Sequence, residues 1–181
     1  MKVISGKYKG RNIYGFDIHG TRPTMDRVKE SIFGMIQDKI PYSTILDLFS
    51  GSGNLGIEAL SEGASFAYLC DHNRKAKEIM KKNIKEIGID QVEILEMDYK
   101  KCLKEFYEKN ISFDIIFLDP PYQTNYIEES IRIIEEYQLL KKGGILVCES
   151  DSFDKIIYQD SFICKKDRKY GDKVVVILEK V

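Results

Sequence analysis

Thr44-Ile45-Leu46-Asp47-Leu48-Phe49-Ser50-Gly51-Ser52-Gly53-Asn54-Leu55-Gly56 is the stretch that decides the fold. Thr44–Phe49 reads as a short buried strand, and the glycines that follow it mark a tight turn into a helix over roughly Leu55–Glu62. A strand that passes through such a turn into a helix opens a βαβ unit, whose strands pair in parallel. Further along the chain the same alternation repeats. Strand-like runs at Phe66–Cys70, Val92–Met97, Phe113–Leu118 and Ile145–Glu149 are separated by helical patterns at Arg74–Ile87, Lys100–Lys109 and Tyr126–Tyr137. Arg74–Ile87 gathers Ile79, Met80, Ile84 and Ile87 on one side and stops at Gly88. Phe113–Leu118 is continuously apolar, as a strand covered on both faces would be. The rhythm breaks at Phe162–Lys166 and Lys173–Glu179. They are joined by Lys169-Tyr170-Gly171-Asp172, too short for a helix, so they form a hairpin with an antiparallel last strand. The expected fold is α/β and Rossmann-like: a mostly parallel seven-stranded sheet, helices on both faces, and an antiparallel C-terminal strand.

Towards the N-terminus the pattern is different. Val3–Gly15 reads as a basic β-hairpin punctuated by Gly6, Gly10 and Gly15. Thr24–Asp38 reads as an amphipathic helix capped by Thr24, with Val28, Ser31, Ile32, Met35 and Ile36 inward. Residues 1–40 are expected to be an extension packed on a core of residues 41–181, being too small to stand alone. They hold eight Lys or Arg against four acids, 8 − 4 = +4, in a chain of net charge −1. That asymmetry hints at a polyanionic partner. Cys70, Cys102, Cys148 and Cys164 form no C-x-x-C pair and read as packing residues, and no metal site is expected. No apolar run is long enough to cross a bilayer and no secretory signal is visible, so the expected location is the cytoplasm.

Three motifs carry chemistry. The glycine loop with Phe49, Ser50, Gly51 and Gly53 lets a ligand approach the backbone, but it suits dinucleotides as well. Asp47 tips the balance: an acid there faces a pyrophosphate badly and suits the cationic methionine end of S-adenosylmethionine. Asp71, followed by His72 and Asn73, ends the second strand where a carboxylate accepts from ribose hydroxyls. Asp98, after the third strand, is placed for an adenine amine or as a helix cap. Asp119-Pro120-Pro121-Tyr122 ends the fourth strand, beyond which ligands of open parallel sheets bind. The prolines remove two backbone donors and leave acceptors, the Asp119 carboxylate and the Pro120 carbonyl. Such a pair grips a conjugated amine and stabilises the charge it develops on methylation, while Tyr122 stacks on the base. His19 and His72 are expected to have no catalytic part.

These motifs resemble those of the class I amino-methyltransferases of nucleic acid. Thr21-Arg22-Pro23-Thr24-Met25-Asp26-Arg27-Val28-Lys29-Glu30-Ser31-Ile32-Phe33, with Ile4–Arg11, is similar to the bacterial 16S ribosomal RNA guanine-N2-methyltransferases, over essentially the whole chain. The resemblance implies S-adenosylmethionine as donor and a guanine of 16S ribosomal RNA as target, met within a 30S subunit or assembly particle by a monomer. It implies that Arg22 and Thr24 close over the methionine end and that Arg27 reaches its carboxylate or an RNA phosphate. Lys7, Lys9 and Arg11 on the first hairpin, and Arg168 and Lys169 at the last, are the expected RNA contacts. An adenine-N6-methyltransferase of RNA or DNA, a nicotinamide-dependent oxidoreductase and a non-catalytic RNA-binding factor are the competing readings.

Overall fold

A computed structural model describes residues 1–15, 22–122 and 124–181, without the side chains of residues 22–24. Its strands are β1 (Thr44–Asp47), β2 (Phe66–Asp71), β3 (Val92–Glu96), β4 (Phe113–Leu118), β5 (Leu140–Ser150), β6 (Phe162–Tyr170) and β7 (Lys173–Lys180). Its helices are α1 (Arg22–Ile36), α2 (Asn54–Ser61), α3 (Arg74–Ile87), α4 (Tyr99–Glu108) and α5 (Tyr126–Glu136). The sheet has the order β3-β2-β1-β4-β5-β7-β6. β7 runs antiparallel between β5 and β6, and the other strands share one direction. This is the expected class I methyltransferase architecture.

Alternate residues along each strand feed two cores, as the period of two requires. Ile45, Leu69, Ile115, Phe117, Val147 and Ile177 face one way and pack under α1, α2 and α3. Leu46, Cys70, Ile116, Leu118, Cys148 and Val176 face the other way and pack under α4 and α5. Local chemistry sets the helix ends. Asn73 caps α3 by accepting from Lys75 N at 2.8 Å, and Gly88 ends it at φ +83°.

Several boundaries differ from the sequence reading. α1 starts at Arg22, so Thr24 lies inside its first turn rather than at its cap. The inward face of α1 is Val28, Lys29, Ile32, Phe33 and Ile36, while Ser31 and Met35 are only half-buried. β5 begins five residues early, at Leu140, with an irregularity opposite Phe113–Ile115. β6 extends to Tyr170, so Lys165–Lys169 are strand residues and the turn is Gly171-Asp172 alone. The first hairpin is reduced to one bridge, Lys2 to Asn12, supported by Val3 N to Arg11 O and Gly10 N to Val3 O, each 2.9 Å.

The N-terminal segment is tied down by polar groups. Glu58 on α2 is fully buried and accepts from Ile4 N at 2.8 Å and Ser5 N at 3.3 Å. It also pairs with Lys29 at 3.0 Å, and the three donors of Lys29 are completed by Lys2 O at 2.9 Å and Asn54 Oδ1 at 2.8 Å. Buried Asn83 on α3 adds a second tie. It accepts from Tyr14 N and donates to Tyr14 O and Ser52 O, which joins the segment to the glycine loop.

Candidate active site

The carboxyl ends of β1, β2, β3, β4 and β5 converge with the Gly171-Asp172 turn on two adjoining cavities of about 710 and 940 Å³. Met25, Phe49, Asp119 and Lys173 line both. The glycine loop shapes the floor. Gly51 and Gly53 have φ of +58° and +85°, a region that disfavours a side chain. At Gly56 a Cβ would stand 2.2 Å from Leu69 Cδ2, so the helix lies directly on β2.

Three carboxylates are spread along this floor. Asp47 is buried; its Oδ2 accepts from Ser50 Oγ at 2.9 Å and Gly56 N at 3.2 Å, while Oδ1 has no partner among the described residues. Burial pushes its pKa up to about 7, with the Ser50 and Gly56 hydrogen bonds opposing and the charge of Asp71 adding. Asp71 is oriented by Gly51 N on Oδ2 and Asn73 N on Oδ1, both 2.9 Å. Asp98 lines the larger cavity and also caps α4, accepting from Lys100 N at 2.9 Å. The helix-cap reading of Asp98 is thus observed, and its carboxylate also borders the cavity. His72 is exposed on the cavity rim, and Asn73 spends its side chain on the α3 cap.

Asp119, Pro120, Pro121 and Tyr122 all line the larger cavity, with the Tyr122 ring half exposed. Next to Asp119 stand two groups that the sequence reading missed. Glu149, 6% exposed at the end of β5, is held at 2.5 Å by Lys173, the first residue of β7. The Lys173 ammonium also lies 5.7 Å from the Tyr122 ring centroid. Burial and the neighbouring Glu149 charge push the Asp119 pKa well above the usual carboxylate range, and Lys173 works against them. Also missed were Tyr99 and Tyr126, which pack with Phe49 at centroid distances of 5.3 and 6.0 Å to form an aromatic wall. Phe49 itself was expected at the site.

The expected RNA contacts fall in different places. Lys7, Lys9 and Arg11 are exposed, but their turn rests on the C-terminal end of α2 through Lys7 N to Ser61 O, 2.8 Å. Arg11 bonds to Glu86 O near the end of α3. These are the helix ends remote from the glycine loop, so the turn is not at the cavity mouth. Arg27 is exposed beside Asp26 and Glu30 and lines neither cavity. Arg168 and Lys169 are exposed on β6, directly before Tyr170 on the cavity wall. The side chains of Arg22 and Thr24, and all of His19 and Thr21, lie outside the described residues.

Comparison with known proteins joins this geometry to a family. The model of a family described as conserved hypothetical protein 95 matches residues 1–179. YlbH of Bacillus subtilis is 40% identical, over 83% of this chain and 83% of its own. Ribosomal RNA small subunit methyltransferase D of Buchnera aphidicola subsp. Acyrthosiphon pisum is 36% identical, over 92% of this chain and 86% of its own. The solved structure of yhhF from Escherichia coli aligns with a TM-score of 0.89 at 26% identity, over 99% of this chain and 97% of that one. Matched along nearly its whole length, the chain is a methyltransferase of the conserved hypothetical protein 95 family, a relative of the ribosomal RNA small subunit methyltransferases D.

Proposed function

We propose that the protein methylates the exocyclic N2 amine of a guanine in small-subunit ribosomal RNA, with S-adenosylmethionine as donor. The observation that carries this reading is the acceptor-only corner Asp119-Pro120 at the junction of two cavities with an anionic floor. The residues fit the cofactor: Asp47 Oδ1 is a buried acceptor without a partner among the described residues, which an ammonium group would satisfy. Asp71, already oriented by two backbone N–H groups, would hold the ribose hydroxyls, and Phe49, Tyr99 and Tyr126 would flank the adenine near Asp98. When bound, S-adenosylmethionine supplies an electrophilic methyl group.

The chain's own part is to hold and prepare the amine. The Asp119 carboxylate and Pro120 carbonyl accept its N–H groups, which draws the lone pair out of conjugation and offsets the charge that grows on nitrogen. Tyr122, half exposed at the rim, stacks on a base swung out of its helix. Guanine suits an ionised Asp119 because its Watson–Crick edge presents two adjacent N–H donors, at N1 and N2. Adenine presents one amine beside an acceptor nitrogen, which would meet the carboxylate unfavourably. Arg168 and Lys169 line the approach for the RNA backbone. The substrate class is supported by the relatives' name, and recognition within a 30S or assembly particle, by a monomer, belongs to the same proposal.

Nucleoside mass spectrometry of ribosomal RNA from a deletion strain tests the assignment. Loss of N2-methylguanosine from small-subunit RNA is the expected result; loss of N6-methyladenosine alone overturns it in favour of the adenine reading. In the purified protein, Asp119→Ala, which removes the acceptor, should abolish transfer and leave cofactor affinity within a few-fold of wild type.

A further inference from the structure

Glu149 and Lys173 reach the reaction corner from two strands that the chain brings together only by folding. Leu118 pairs with Cys148, so Asp119 and Glu149 are side by side at the ends of parallel β4 and β5. On the other edge of β5, Ser150 pairs with Val174, and Lys173 therefore stands at the same rim. Both line the smaller cavity with Asp119. Two adjoining carboxyl groups in a half-buried corner favour holding a proton between them. A protonated Asp119 would present a donor where the amine needs an acceptor.

We propose that Lys173 is a positioning residue that favours the ionised, acceptor form of Asp119, by pairing with Glu149 at 2.5 Å and turning its ammonium towards the corner beside Tyr122. The role rests on Asp119 being the acceptor described above. The charged groups bearing on Asp119 are Asp47 from β1, Glu149 from β5 and Lys173 from β7, and among the described residues Lys29 of α1 and Lys82 of α3 also line the smaller cavity. Asp71, Asp98, Asp151 and Asp172, with His72, line the larger cavity around it. Among the described residues Lys173 is the cation whose charge acts on Asp119, whereas Lys29 is paired with Glu58 and Lys82 lies over the Tyr14 ring. Burial lowers the affinity of Lys173 for its proton, but Glu149 and Asp119 together more than restore it, so it stays charged across the working range.

The test is a carbon-13 NMR titration of aspartate carboxyl groups in the ligand-free protein, with the Asp119 signal identified by its loss in Asp119→Asn. Lys173→Met should raise the Asp119 midpoint by about one pH unit or more, the effect of losing an opposite charge at this range. Glu149→Gln should lower it, and Lys173→Arg should leave it near wild type. Midpoints that stay put in both Lys173→Met and Glu149→Gln overturn the proposal. If Lys173→Met does not fold, a Glu149→Gln midpoint that fails to fall overturns it alone. Single-turnover methylation of small-subunit RNA is read alongside. Its acid limb should follow the Asp119 midpoint through the series; a limb that ignores shifts seen by NMR overturns the positioning role. Wild-type protein that shows the NMR shifts but methylates no small-subunit RNA instead removes the function proposed above and leaves the charge arrangement standing.

Discussion

Replacing Lys29 by Met removes a cation that the fold keeps 2% exposed and surrounds with three acceptors. Methionine is close to the lysine stem in length and fills the same space, so the cost is electrostatic rather than a cavity. Glu58, fully buried, keeps the N–H groups of Ile4 and Ser5 but loses its counter-charge. Removing one member of a buried pair costs about 3–5 kcal/mol. In a chain of this size each kcal/mol moves Tm by about 2–4 °C, so a fall of roughly 6–20 °C is expected. The double variant Lys29→Met/Glu58→Gln should recover part of that loss, because a neutral amide oxygen still accepts from Ile4 N and no bare charge remains. A coupling of about 2 kcal/mol or more is expected for groups in contact within one network. Urea unfolding followed by circular dichroism measures both, with an unchanged m-value showing that only stability moved. A Lys29→Met variant within about 1 kcal/mol of wild type, or strict additivity in the double variant, would refute the reasoning.

Other consequences can be measured separately. Because burial raises Asp47 to about 7, the folded protein binds a proton that the unfolded chain releases near the ordinary value of 3.8. Stability contributed by this group is therefore present at low pH and lost as pH rises between those values, and Asp47→Asn should flatten that slope in unfolding titrations. The same proton must leave for Asp47 to meet an ammonium group, so calorimetry should show S-adenosylmethionine affinity weakening below about pH 7, by up to about tenfold per unit. Asp71→Ala removes a carboxylate held by two backbone donors and should weaken cofactor binding roughly 10- to 100-fold, as loss of charged hydrogen bonds of about 1.5–3 kcal/mol does. Gly6→Ala places a Cβ 1.9 Å from the Ser61 carbonyl at φ +84°, and should raise protease cleavage near the N-terminus while β5 and β7 amides keep their exchange protection.

The parts of the fold legible in the sequence are those whose signal is local. Arg74–Ile87 and Phe113–Leu118 were bounded to the residue, one by its amphipathic period and Gly88, the other by an unbroken apolar run. β5 looked shorter because Lys141-Lys142-Gly143-Gly144 has turn chemistry, and Gly143 does adopt φ +77° inside the strand. β6 hid its length because Lys165–Lys169 are exposed on an edge and show no alternation. Lys29 reads as a solvent-facing charge until Glu58 is known to lie beneath it. Glu149 and Lys173 escaped for the same reason: their meaning comes from the antiparallel register of β5 and β7, which no spacing in the sequence states. Asp47, Asp71 and Asp119 were legible because a strand end followed by a turn already says where a side chain must face.

The insertion of β7 between β5 and β6 also divides the site along the chain. The parallel strands β1 to β5 and the glycine loop are encoded up to Ser150, whereas the wall formed by Tyr170–Lys173 comes from the hairpin after it. Without that hairpin β5 would be a bare apolar edge, the kind that invites pairing with a second chain. The hairpin both covers that edge and places the Lys173 ammonium beside Asp119. Protection from aggregation and readiness for chemistry therefore depend on one element, and damage to the β6–β7 hairpin should take both away.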